Sequence, residues 1–335
     1  KTRIMSLNNK LPKSFAIFVR SSYGDLLMTD PLIKLIKSIN SKNTITLFVD
    51  DKNSQLVEFM EHIDSFYVIP SKGNKYLSFI AYGLKYRKYK YDISIAAKTG
   101  IGSANGFFPF ILGAKKRISY ASNPKTWTDR LINFPIPYEE TIYHSQHYAL
   151  GILQLLDKSL IKVPKHLYPK LINKSSANKD SKVKLLISVS NNRDSCLLSN
   201  KSMAQIINLL GKEFEFDTYI SALKSDFDKA ASLNKEINQH STIKITPLLK
   251  DYIELIGCMD ICFLGEGGSM HMAAGLGIPQ VVLFGNTSPT TWSPLSAKAT
   301  TLKDISNVNN IPKKVILLAL KNKLIEIKTQ NKSNI

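Results

Sequence analysis

The stretch Asp260-Ile-Cys-Phe-Leu-Gly265-Glu266-Gly267-Gly268-Ser269-Met270-His271-Met-Ala-Ala-Gly275-Leu-Gly277-Ile-Pro279-Gln-Val-Val-Leu-Phe-Gly285-Asn286-Thr287-Ser288-Pro289 reads as one strand–turn–helix–strand unit. A buried apolar run ends in a glycine-rich turn, a short helix follows near Met270–Leu276, and a second apolar run, Gln280–Phe284, ends at Gly285-Asn286-Thr287. Two loops of small residues then lie at the carboxyl ends of neighbouring parallel strands, where backbone amides and a helix start suit a diphosphate without a metal. The stretch is neither the dinucleotide fingerprint nor the phosphate loop ending in Gly-Lys-Ser/Thr. The competing account is that these residues are small only to let helix and sheet pack closely. His271 reads equally as a structural side chain or as part of the site.

The same alternation extends both ways. Before it, Lys184–Val189, Phe216–Ile220, Ile243–Ile245 and Ile261–Leu264 read as strands, with helices near Met203–Leu210, Phe227–Ile237 and Leu249–Cys258. Nearer the start, Phe15–Arg20, Thr44–Asp50, Phe66–Pro70, Tyr91–Ala97 and Arg117–Tyr120 read as strands, separated by helices at Leu26–Ile39, Ser54–His62 and Tyr76–Tyr86. Prolines at 124, 135 and 137 break the pattern over 121–141, a helix is expected over about Thr141–Leu156, and Lys158–Asp180 has linker composition. The spacing thus predicts two doubly wound α/β domains, residues 1–165 and 180–335, with ligands at the strand carboxyl ends and in the cleft between the domains. A last helix, about Pro312–Ile327, is assigned to the second domain or packs back on the first.

The first strand turns through Arg20-Ser21-Ser22-Tyr23-Gly24-Asp25 into a helix. Asp25 there is either a helix-start acid complementing the dipole or a carboxylate able to take a proton from an attacking hydroxyl. Other patterns carry less. Gly100-x-Gly102-x-x-x-Gly106 has the wrong spacing for a dinucleotide site. Asp226-Phe-Asp228 could bind metal but opens a helix, where capping explains it. His144-x-x-His147 and Cys258-x-x-x-Cys262 lack further ligands at zinc spacing.

The chain has 335 residues, 44% hydrophobic and 21% charged, a globular composition without an apolar run long enough to cross a membrane. Its start, Lys1–Lys13, shows no signal-peptide pattern, and three cysteines make neither a disulfide framework nor a metal quartet, so it reads as cytosolic. Lys+Arg 45 against Asp+Glu 26 leaves +19, which points to an anionic partner unless it reflects compositional bias alone. Within Lys72–Lys90, Lys85, Arg87, Lys88 and Lys90 lie among Tyr82, Tyr86 and Tyr89, a pattern of a solvated helix face or of an anionic-lipid binder.

At these two stretches the chain resembles glycosyltransferase family 9, the ADP-heptose:lipopolysaccharide heptosyltransferases. Arg20, Ser21-Ser22, Gly24-Asp25 and Pro31 follow the family's opening order, and Glu266 through Trp292 follow its late signature. The resemblance implies the GT-B architecture, two Rossmann-like domains facing a central cleft, and an inverting, metal-independent transfer of heptose from ADP-heptose to the lipopolysaccharide inner core. It implies Asp25 as base, Ser22, Gly24 and Lys98 toward the acceptor, and Glu266, Gly267, Gly268, Ser269, Met270, His271 and Thr287 toward the donor. Ser190, Asn191, Asn192 and Arg193 would serve the diphosphate and Asp226 the ribose. No metal or cofactor beyond the nucleotide-sugar is expected, no nucleic acid, and a peripheral place on the cytoplasmic face of the inner membrane. Two departures stand out: Glu266-Gly267-Gly268 replaces the family's Asp-Thr/Ser-Gly, and Cys196 falls where the family carries a phosphate-contacting Lys, with Arg193 and Lys201 the nearest cations. These leave open a different donor or acceptor, or a binding module without catalysis.

Overall fold

Runs of β-branched and aliphatic residues form strands, and strands buried along nearly their whole length belong in parallel sheets covered on both faces. The computed structural model describes residues 13–20, 22–97, 104–120, 126–136, 169–173 and 182–333. The chain divides into two compact units, Lys1–Pro169 and Lys170–Ile335. In the first, β1 (Ser14–Val19), β2 (Thr44–Asp50), β3 (Ser65–Ile69), β4 (Ile93–Ala96), β5 (Lys116–Tyr120) and β6 (Phe134–Ile136) pair in the order β3-β2-β1-β4-β5-β6. In the second, β7 (Val183–Ser188), β8 (Phe216–Ala222), β9 (Ser241–Ile245), β10 (Ile261–Gly265), β11 (Gln280–Phe284) and β12 (Ala299–Lys303) pair as β12-β11-β10-β7-β8-β9. Both sheets are parallel, with Phe15 opposite Ile45 and Ile93 in one and Ile261 opposite Leu185 in the other. The two orders are the same winding used twice. Each reverses beside its first strand, at β1/β4 and at β7/β10, which is where such sheets open a crevice at their carboxyl ends.

Each unit has its own core. The first includes an aromatic cluster, in which Phe18 stacks on Phe108 with ring centres 4.7 Å apart and Phe48, Phe79, Tyr86 and Tyr91 close around them, beside buried aliphatic residues such as Ile17, Leu26, Ile33 and Leu47. The second is aliphatic, built from Leu185, Ile187, Ile206, Ile207, Ile261 and Val281. The last helix, Lys313–Ser333, buries Ile316, Leu320 and Leu324 in this second core. Among the described residues no helix is long and apolar enough to cross a membrane.

Several elements differ from the sequence expectation. The single helix expected over Leu26–Ile39 is two, Tyr23–Leu27 and Asp30–Ile39, because Pro31 has no N–H to give and restarts the helix in its first turn. The helix expected at Ser54–His62 is a 3₁₀ segment, Ser54–Phe59, tied off by Asn53 and Asp50 bonding each other's backbone. Among the described residues, elements that were not foreseen include a helix of the first unit and two edge strands. The helix Ala104–Leu112 contains Gly106 and Pro109, which weaken its signal. Strand β6 is three residues long and carries Pro135, tolerated because β6 is a sheet edge. Strand β12 is a polar edge strand with every residue only partly buried or exposed. The helix expected over about 141–156, His144 and His147, and most of the linker 158–180 lie outside the described residues.

Candidate functional site

In the first unit, β1 feeds a helix start at the switch point. Ser22 is the N-cap of the helix Tyr23–Leu27 and makes a capping box with Asp25. The Ser22 amide donates to Asp25 Oδ2 at 3.1 Å, the Ser22 hydroxyl to the same oxygen at 2.8 Å, and the Asp25 amide to Ser22 Oγ at 3.5 Å. Asp25 is 5% exposed. The helix-start role is therefore real, and it fixes the carboxylate in one orientation at the carboxyl end of the central strand. Gly24 is buried inside this helix rather than in the turn before it. Lys98 lies outside the described residues.

In the second unit the hub is Glu266, the residue after β10, whose side chain has 0% exposure. A buried carboxylate needs partners from every side. The Cys196 thiol donates to Oε1 at 2.9 Å, and the Asn286 amide to Oε1 at 2.9 Å. The Thr287 amide lies 3.2 Å from both carboxylate oxygens, and the Thr287 hydroxyl donates to Oε2. Arg193 Nη1 stands 3.8 Å from Oε1. Burial alone would push the Glu266 carboxyl up, but the bonds from Cys196 and Thr287, with the nearby Arg193 charge, hold it below its ordinary value. Burial, with the bond to Glu266 adding to it, pushes the Cys196 thiol up to about 11, so it remains a donor.

Glu266 thus ties together three loops, those following β7, β10 and β11. Backbone supports the same junction. Asn191 Nδ2 donates to the Glu266 carbonyl at 2.9 Å, and the Asn191 side-chain oxygen accepts from the Arg193 amide at 3.1 Å. A Cβ on Gly265 would come within 2.1 Å of the Cys196 carbonyl, and one on Gly285 within 2.2 Å of the Ser195 carbonyl. Those two glycines are small so that the Ser195–Cys196 turn can lie against both strand ends, which is the packing account of part of the stretch. Gly267 is different: φ +153° and ψ −168° is a conformation open only to glycine. Having no side chain, it leaves the helix Gly268–Gly275 without a side-chain cap on its first amides. Of the two amide sets expected to face a diphosphate, those of Asn286 and Thr287 are taken up by Glu266, while the start at Gly268, Ser269 and Met270 is the one presented by an uncapped helix.

The remaining residues fall around this junction. Ser190 Oγ donates to Asp226 Oδ2 at 2.6 Å and accepts from the Leu223 amide at 2.9 Å. That bond, with Lys229 Nζ 3.3 Å away, holds the Asp226 carboxyl below its ordinary value. The expected capping role of Asp226 is corrected: it precedes the helix Phe227–Glu236 without a side-chain cap bond, because its carboxylate is turned to Ser190 and Lys229. Asn192 is exposed, Lys201 is exposed in the first turn of the helix Asn200–Leu210, and His271 is buried. Sequence reasoning missed that the Asn286 amide and the Cys196 thiol serve Glu266 rather than a ligand; its one signal for that junction was the glycine at the end of each neighbouring strand.

The model of the family described as Glycosyltransferase family 9 (heptosyltransferase) matches residues 81–322. A protein named lipopolysaccharide heptosyltransferase 1, from Campylobacter coli, is 24% identical over 297 residues, covering 81% of this chain and 84% of that protein. Among solved structures, a glycosyl transferase family 9 protein from Veillonella parvula superposes with TM-score 0.79 at 14% identity, over 94% of this chain and 97% of that one. The ADP-heptose lps heptosyltransferase II of E. coli superposes with TM-score 0.76 at 17% identity, over 94% of this chain and 99% of that one.

Proposed function

The chain belongs to glycosyltransferase family 9, with the GT-B fold of that family, and from this premise we propose that it moves a heptose from ADP-heptose onto the inner core of lipopolysaccharide. The donor is suggested by the name of the E. coli relative and the acceptor by that of the Campylobacter coli relative. The observation that carries the reading is the uncapped helix start at Gly268, set by the glycine-only conformation of Gly267 at the switch point of the second sheet. Its amides can hold a diphosphate, and Arg193, side chain 37% exposed and beside Glu266, can offset the charge that the leaving ADP gains. Ser190, Asn191 and Asn192 line the adjoining loop, Asp226 serves the ribose, and Thr287 with His271 shapes the donor side through Glu266 and the helix.

The reaction would invert the sugar carbon. The acceptor hydroxyl oxygen attacks the anomeric carbon, the bond from that carbon to the ADP oxygen breaks on the opposite face, and the hydroxyl proton passes to Asp25. Ser22 positions Asp25, with Gly24 and Lys98 on the acceptor side. Because phosphate binding is assigned to amides and a guanidinium, no metal is required. The test is transfer of heptose from ADP-heptose to an inner-core acceptor, followed with and without excess chelator. Transfer at an unchanged rate is expected; strict dependence on a divalent cation would overturn the metal-free route, and absence of transfer the whole reading. One observation favours a related donor: Glu266 stands where the family carries Asp, so a panel of nucleotide-sugars belongs in the same assay.

A further inference from the structure

Tyr252 lies on the helix Leu249–Gly257, which packs against the helix Gly268–Gly275. Its hydroxyl is buried and faces the hydroxyls of Ser269, Ser221 and Ser188. Ser188 and Ser221 stand opposite each other in the parallel register of β7 and β8, the one last in its strand and the other next to last. Ser269 is the second residue of the helix that starts uncapped at Gly268. Burial pushes the Tyr252 phenol up, and the three serine hydroxyls work against that push. The phenol nevertheless closes no hydrogen bond of ordinary geometry with any one of them. Packing two helices together needs only the aromatic ring, and Phe would supply it without burying a polar group. The hydroxyl therefore calls for a use.

The place of this cluster supplies one. On one side, Ser269 belongs to the helix start whose amides suit a diphosphate. On the other, Ser188 Oγ donates to the Ser190 carbonyl at 3.2 Å and accepts from the Ser190 amide at 3.4 Å. Ser190 Oγ in turn donates to Asp226, the carboxylate that suits a ribose, at 2.6 Å. A path of side chains thus runs from the helix start through Tyr252 to the loop after β7 and on to the residues after β8. The Glu266 junction ties the loops after β7, β10 and β11, and the Tyr252 cluster adds the β8 end. The ribose and diphosphate of a nucleotide are joined covalently, so the two ends of a site that holds both must keep a fixed separation. Small errors in that separation cost affinity without touching either set of contacts alone.

We propose that Tyr252 is a positioning residue for a nucleoside diphosphate, its hydroxyl holding the helix start at Ser269 and the Ser188–Ser190 loop at the separation that the ribose and diphosphate of one ligand require. The inference rests on the assignment of the nucleotide to the second unit and deepens it by naming what sets the spacing of the site. It does not depend on which sugar the nucleotide carries.

The test compares the full chain with Tyr252→Phe, which keeps the ring and removes the hydroxyl, by calorimetric titration with ADP. The net worth of one hydrogen bond corresponds to roughly two- to tenfold in affinity, so Tyr252→Phe should weaken ADP about fivefold. Pyrophosphate, measured by its competition with ADP, needs only the helix start and should bind both proteins equally. In the transfer reaction the variant should raise the donor KM and leave kcat within about twofold, the pattern of lost binding rather than lost chemistry. Ser188→Ala cuts the same path at another point and is the second variant should Tyr252→Phe melt early. It should also weaken ADP, and adding Tyr252→Phe to it should weaken ADP no further. ADP bound as tightly by Tyr252→Phe as by the wild type would overturn this inference alone. An equal loss for pyrophosphate would do the same, because Tyr252 would then act on the helix start and not on the spacing, and so would additive losses in the double variant. A wild type that binds no ADP would overturn the assignment of the nucleotide to the second unit and this inference with it.

Discussion

At Asp25 the carboxylate that would accept the acceptor's proton is also the acid that closes a capping box with Ser22. One substitution separates the two roles. Asn keeps an oxygen that can accept from the Ser22 amide and hydroxyl, so Asp25→Asn should melt as the wild type does and bind nucleotide with unchanged affinity. It cannot take a proton, and turnover should fall by roughly 10²–10⁴-fold. If instead stability falls by the ~1 kcal/mol of a lost cap while turnover survives, Asp25 is only structural. Glu266 presents the opposite case, a buried charge whose worth is in its partners. In Glu266→Gln the side-chain NH₂ faces the donors of Asn286, Thr287 or Cys196, and a buried donor left without an acceptor costs about 1–3 kcal/mol. The pH dependence follows from the sign of the shift. The Glu266 carboxyl lies below its ordinary value in the fold, so its contribution is present above the unfolded value of about 4.3 and is lost as pH falls through the lowered folded value. Thermal unfolding of both proteins over acidic pH should show the gap between them closing as the solution is acidified; a gap that stays constant would mean that Glu266 is not charged in the fold. Arg193, 3.8 Å away, is then both the partner of that charge and the cation proposed for ADP, so Arg193→Ala should lower turnover more than donor affinity, read from kcat and ground-state binding separately.

Elements were legible where local composition and tertiary role agreed. Strands β2 and β11 match the expected bounds, Thr44–Asp50 and Gln280–Phe284, because β-branched runs there end at turn residues and are buried on both faces. The helix Ala104–Leu112 was not, because Gly106 and Pro109 argue against a helix locally while its packing argues for one. A Cβ on Gly106 would come within 2.0 Å of the Thr128 carbonyl, so that glycine is there for close approach. The candidate site was legible as a stretch and not as a junction. Its glycines were visible, yet the bond from Cys196 to Glu266 spans 70 positions and has no local signature. The glycines at 265 and 285 also turned out to differ in purpose from Gly267. That distinction is testable on the element. In Gly285→Ala the new methyl must displace the Ser195 carbonyl, which is backbone and cannot swing aside as a flexible side chain would. Overpacking of this kind costs about 1–3 kcal/mol, and the shift of the Ser195–Cys196 turn should disturb the Glu266 junction. Calorimetry should show the loss of stability, and titration with ADP a weaker affinity. An alanine variant as stable as wild type would mean that the turn has room to move.

Over the whole molecule, the same winding is used twice and each copy has a separate core, with an aromatic cluster around Phe18 and Phe108 in the first and a largely aliphatic one around Ile187 and Ile261 in the second. The repeated topology was readable from alternating strand and helix runs. Topology does not by itself say which unit holds which ligand, since both present a switch point at the carboxyl end of a central strand, and it was the glycine-rich stretch from Gly265 that pointed to the second unit for the nucleotide. Charge does not decide it either, because +19 is a sum over the whole chain, and residues 65–128 hold eleven of its Lys and Arg against one acid without marking a ligand. The assignment of nucleotide to the second unit rests on the Gly267–Gly268 helix start, and hydrogen exchange measures it directly. A ligand that binds only the native form stabilises what it binds by RT ln(1 + [L]/Kd), ~2.7 kcal/mol at a hundredfold excess over Kd, which is roughly a hundredfold slowing of exchange through the unfolding it suppresses. With ADP and no divalent cation, amides of β7, β10 and β11 and of the helix Gly268–Gly275 should slow toward that limit. Amides of β1, β2 and β4 should exchange as they do without nucleotide. Equal slowing in both sheets would mean that the two cores open together or that both units hold the ADP. Slowing confined to the first sheet would move the donor to the Asp25 side and remove Gly268, Arg193 and Asp226 from its binding.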